Sequence, residues 1–195
     1  MSSVFVLLIF LAHLLLFSLF YFLLLKFFKH QKWFQKAGKK LLETKEHQLK
    51  TNGLLKRFSR AVDSGNIWKA RLIIGCLIFV KSVGMTAIGL VGFSLIMVLI
   101  QAIMTAAIFE QVRLRGISAQ GFLKTLSFQL IAMLSAAVVG NLLGWRMFID
   151  ELSLNHALVS ESYIILTLSL IVVFFCWLAA KTEVRFYQEN KTLIG

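Results

Sequence analysis

"LIFVKSVGMTAIGL", residues 77–90, sets one lysine, Lys81, inside an apolar run rich in small residues. A lysine at the centre of a bilayer costs roughly 2.5–3.5 kcal/mol on insertion scales. Lys81 therefore either lies deep in a membrane segment or marks where one begins, and the choice sets the number of crossings. From 72 to 109 the chain is apolar for 38 residues apart from Lys81 and Gln101. One straight helix of that length would reach ~57 Å, nearly twice a ~30 Å hydrocarbon core. Two arrangements fit. In the first, a hairpin or re-entrant pair places helices over about 71–88 and 91–109 and turns near Gly84 to Gly92. In the second, residues 67–81 lie at the interface and only 83–109 cross.

Charge placement separates them. Lys and Arg in short loops stay on the cytoplasmic side. The hairpin keeps 13 basic residues between Lys26 and Arg71 inside, together with Arg113, Arg115, Lys124, Lys181, Arg185 and Lys191. It leaves Arg146 outside and Lys81 within the span. The single crossing moves the last six to the other side, so the hairpin is preferred. Lys81 then needs partners: Gln101, Gln129, Asn141, backbone carbonyls, water or an acid from another subunit, since no Asp or Glu lies inside an expected span. Snorkelling to the headgroups is the plainer account of it.

The rest of the composition agrees. Apolar residues make up 58% of the 195-residue chain and charged residues 15%, against about 25% charged in a soluble domain. The chain reads as an all-α, polytopic integral membrane protein with about five membrane helices. Its net charge of +12 is concentrated after the first apolar run. That pattern signals topology and contact with anionic lipid, with no nucleic-acid partner. The two cysteines fall in apolar runs and read as small packed side chains. Proline is absent, which leans away from a midplane site built on proline-broken helices.

Residues 1–28 form the first transmembrane helix, too long for a signal-peptide core, with the amino terminus outside. His13 near its middle is read as a neutral hydrogen-bonded side chain rather than a proton relay. Residues 29–70 form a basic amphipathic cytoplasmic segment. The first helix is expected to run on to about Lys50 and stop at "TNG", residues 51–53, with Glu46 and Lys50 as an i,i+4 pair. Beyond it Lys56, Arg57, Phe58 and Arg60 belong to an amphipathic basic helix suited to a membrane surface or a partner. Residues 71–195 form the membrane bundle: the 71–110 hairpin, spans at 117–144 and 163–180, and a short cytoplasmic tail.

Ala132, Ala136, Gly140 and Gly144 recur every four residues and end in "GNLLG". Small residues at this spacing let helix backbones approach closely. Gly84, Gly89, Gly92, Ala102 and Ala106 are candidates for the opposing face, within the chain or on another subunit. Between the last two spans His156 lies near Asp150, Glu151 and Glu161, but "DELSLNH" is not a metal-ligand motif, so a surface helix anchored by Trp145 is the plainer reading.

No phosphate-binding loop, nucleophile elbow, dinucleotide fingerprint or Cys/His zinc pattern occurs. The expectation is a non-enzymatic subunit or scaffold of a larger membrane assembly, such as a bacterial secretion, conjugation or transport machine. It requires no cofactor or metal and lies in a bacterial inner membrane against anionic lipid and other membrane subunits or copies of itself. The alternative is a small channel or transporter with an anion-tolerant pathway near Lys81. A membrane-embedded enzyme acting on lipid is the third.

Overall fold

The first helix does not continue into the basic segment. In the computed structural model, which describes residues 3–90, 94–116, 119–149 and 162–190, α1 spans Ser3–Phe28 and α2 spans Lys32–Thr51. The corner between them is a turn: the Gln31 amide donates to the Phe28 carbonyl, and Gln31 itself is extended. Trp33 packs edge to face with both Phe28 and Phe34 there.

"TNG" marks a corner as expected, with its residues in different roles. Asn52 caps α3, Gly53–Asp63, by accepting the Leu54 amide at 3.0 Å. Gly65 (φ 72°) and Asn66 then turn the chain into α4, Ile67–Leu90; Asn66 accepts the Lys69 amide at 3.1 Å. The remaining elements are α5, Ser94–Leu114, α6, Ala119–Ile149, and α7, Ser162–Glu189. Every element among the described residues is a helix. The segment holding Asp150, Glu151, His156 and Glu161, and the side chains of His13 and Trp145, lie outside the described part.

Among the described residues, three helices are long and apolar enough to cross a membrane: Ile67–Leu90, Gln120–Gly144 and Ser162–Glu189. They pack together as the centre of the molecule. Against α4, helix α6 runs parallel: Thr86 meets Ala136, Gly89 meets Gly140, and Leu90 meets Gly144. Helix α7 runs antiparallel to α4, with Gly75 beside Ala180 and Ser82 beside Cys176. Because α4 and α6 are parallel, the chain must return from the Leu90 end to the Ala119 end between them. The 21 residues of α5, ~31 Å long as a helix, make that return.

Two close crossings hold the bundle. A Cβ at Gly89 would come within 2.8 Å of the Gly140 Cα, and one at Gly140 would collide with the Thr86 carbonyl. The Thr86 hydroxyl donates to the Ala136 carbonyl at 3.1 Å across the same seam. Lipid tails are as apolar as the side chains they would replace, so contact of this kind drives association here. The second crossing joins α2 to α5, where a Cβ at Gly38 would collide with the Ala107 carbonyl. Phe34 is buried there against Ala106 and Ala107, and Gln111 donates to the Gln35 carbonyl at 3.1 Å. Ala106 therefore faces α2 and not the Ala132–Gly144 stripe, which Gly89 meets.

A charged cavity at the meeting of six helices

Lys81 does not stand alone. It is an exposed side chain, and it lines a cavity of about 350 Å³ whose walls come from α2, α3, α4, α5, α6 and α7. Gln101 and Thr105 reach it from α5, Thr125 and Gln129 from α6, and Glu183 and Tyr187 from α7. Leu41, Lys45 and Gln48 of α2 cover one end. Three of the four polar residues singled out in the sequence, Lys81, Gln101 and Gln129, thus share one space. Asn141, twelve residues and about 18 Å along α6 from Gln129, is not among the lining residues.

Glu183 organises the charge. It is buried, and each carboxylate oxygen has a partner. Gln129 Nε2 donates to Oε2 at 2.7 Å, and Lys45 Nζ lies 3.7 Å from Oε1. The Lys45 ammonium also sits 5.8 Å from the centroid of the Tyr187 ring. Tyr187, and after it Glu183, hold that ammonium above its ordinary lysine value, against the burial that lowers it. Lys81 lies within electrostatic reach of both Lys45 and Glu183. The cavity therefore holds two cations and one anion. The hydroxyls of Thr105 and Thr125 are occupied by carbonyls of their own helices, Gln101 and Gly121.

Glu183 and Lys45 were not singled out from the sequence. The last span was expected to end at 180, which made Glu183 a tail residue. Helix α7 continues to Glu189, and its buried side runs through Cys176, Ala180, Glu183 and Val184. Helical spacing carried past the first charged residue was the signal available. Lys45 follows Leu41 by four residues on α2, so a cation on the apolar face of the basic segment pointed inward.

The basic helix needs a correction. Phe58 is 1% exposed, within a cluster that includes Ala61, Ala70 and Ile74, and its ring centroid lies 5.2 Å from that of Tyr187. The apolar face of α3 is closed by the chain's own α4 and α7, so Phe58 is unavailable to a membrane surface. Lys56, Arg57 and Arg60 remain exposed. Glu46 pairs with Arg115 across elements, at 2.5 Å, and the side chain of Lys50, its expected partner, lies outside the described part. On the small-residue stripe, Ala132 and Ala136 belong to the central cluster while Gly140 and Gly144 meet α4. Among the described residues no three His, Cys, Asp or Glu side chains gather as metal ligands. Comparison with known protein families, curated proteins and solved structures finds no match.

Proposed function

We propose that the chain is a non-enzymatic membrane protein of five spans, a small channel or transporter that holds an anionic solute within its helix bundle. One observation carries this reading: Lys45, Lys81, Gln101, Gln129 and Glu183 converge on a single cavity. Ionisable groups within a bundle mark ion and substrate pathways. The volume falls at the small end of ligand sites, which run from ~300 to ~1,000 Å³. Lys45 is offset by Glu183, so Lys81 is the surplus charge, and an anion is the solute it favours. The five spans are α1, α4, α5, α6 and α7, with the amino terminus outside and the basic segment inside, in a bacterial inner membrane.

Reconstituted vesicles loaded with chloride, inorganic phosphate or acetate test it. Wild-type protein is expected to release at least one of them, Lys81→Met to abolish release, and Lys81→Arg to keep it. No release by the wild type, or release unchanged in Lys81→Met, rejects the reading.

A second reading, a subunit of a larger membrane assembly, is favoured by α1. Tyr21 and Leu25 tie it to the Phe34 cluster, while Leu15, Leu16, Leu19 and Phe22 stay exposed. The Tyr21 hydroxyl is buried with no hydrogen-bond partner among the described residues. A photo-crosslinker at Leu15 or Leu19 distinguishes the cases: a protein adduct of fixed mass supports assembly, and lipid adducts alone reject it.

A further inference from the structure

The outer face of α4 and α7 carries a groove of about 810 Å³, separate from the charged cavity. Leu72, Phe79, Val80 and Val173 make its walls apolar, and Gly75 keeps it open where a larger side chain would stand. One end is different. Trp68, Lys69 and Arg71 close it from α4, while Trp177 of α7, next to the Cys176 that meets Ser82, stands toward the Val80 end. The Arg71 guanidinium lies 5.7 Å from the centroid of the Trp68 ring, and Lys181 Nζ lies 5.5 Å from that of Trp177. Arg71 Nε is buried and has no hydrogen-bond acceptor among the described residues.

Each feature fits a different part of one ligand. From Trp68 to Val80 is about 18 Å of helix, close to half of a ~30 Å hydrocarbon core. The apolar length therefore matches an acyl chain from one leaflet. A tryptophan beside cations, as Trp68 is beside Lys69 and Arg71, suits the level where headgroups meet hydrocarbon. The lining holds two cations and no acid, and a guanidinium with a free buried N–H is the partner a phosphate oxygen suits.

We propose that this groove is a binding site for an anionic phospholipid, with its phosphate on Arg71, Lys69 and Lys181 flanking it, and an acyl chain along α4 and α7. The assignment does not depend on solute movement through the charged cavity.

The test uses full-length protein carrying Trp33→Phe and Trp145→Phe, so that Trp68 and Trp177 report alone. It is reconstituted in phosphatidylcholine vesicles containing a minor share of phosphatidylglycerol, with brominated chains on one lipid or the other as quencher. Brominated phosphatidylglycerol is expected to quench beyond its share of the bilayer. Arg71→Gln is expected to cut that preference about five-fold, as one basic contact to anionic lipid is worth. Lys69→Gln with Lys181→Gln, which leaves Arg71 in place, is expected to weaken it as well. Quenching in proportion to lipid share in the wild type, or a preference unchanged in both variants, overturns the proposal. Weak quenching by both lipids, with disulfide-linked dimers through the exposed Cys76, also overturns it by placing a second copy in the groove.

Discussion

Glu183 shows how one residue can change the meaning of another. Read alone, Lys81 is a cation without an acid. Placed opposite α7, it shares a cavity with a carboxylate that already has Lys45 and Gln129 on its two oxygens. The Lys45 side chain is 38% exposed, so solvent weakens the pair. A double-mutant cycle of Lys45→Met and Glu183→Gln is therefore expected to give a coupling of only about 0.5–1 kcal/mol in thermal unfolding. Its pH dependence has a definite sign. Lys45 binds its proton more tightly folded than unfolded, so its contribution is whole below the ordinary lysine range, near ~10.4. It fades only as pH climbs through the higher folded value. The coupling measured at pH 6 and pH 9 is expected to agree, and a loss by pH 9 would show the pair to be set by another group.

Among the helices, the two close crossings make separable claims. Gly140→Leu drives a side chain into the Thr86 carbonyl of α4, and overpacking of this kind costs about 1–3 kcal/mol. It is expected to lower the melting temperature of the whole bundle in detergent. Gly38→Leu strikes the Ala107 carbonyl instead. It is expected to expose the lysines of α2 to trypsin while the α4–α6–α7 centre keeps its melting temperature. Equal global destabilisation by both would mean that α2 melts with the centre. Much of this was legible in the residues: the four-residue stripe ending in Gly144 and the break at "TNG" depend on local spacing. The end of α1 at Phe28 was not legible, because 29–31 contain neither Gly nor Pro and the turn is held by Gln35 and the aromatic corner. The partner of Phe58 was also hidden. An amphipathic face states that something covers it and leaves the cover unnamed, here α4 and Tyr187.

At the scale of the molecule, the parallel pairing of α4 and α6 forces α5 to travel back between their ends. Under the five spans proposed above, the two ends of α5 would face opposite sides of the membrane. In a background with Cys76 and Cys176 replaced by Ala, a cysteine at Leu90 is expected to label from outside, and one at Ser118 only after permeabilisation. Labelling of Ser118→Cys from outside would select the single crossing of 83–109, and protection at both would select a re-entrant pair. The cavity did not emerge from the sequence, because its lining comes from six helices and runs from Leu41 to Tyr187.

Gly89 and Lys81 lie on the same helix, eight residues apart, and this links two tasks. The contact of Gly89 with Gly140 fixes the rotational phase of α4, and that phase sets Lys81, an exposed side chain, among the residues lining the cavity. Loss of a single residue between them would turn the lysine by about 100° relative to the seam. The interval 82–88 should therefore tolerate exchanges of side chain far better than any change in its length.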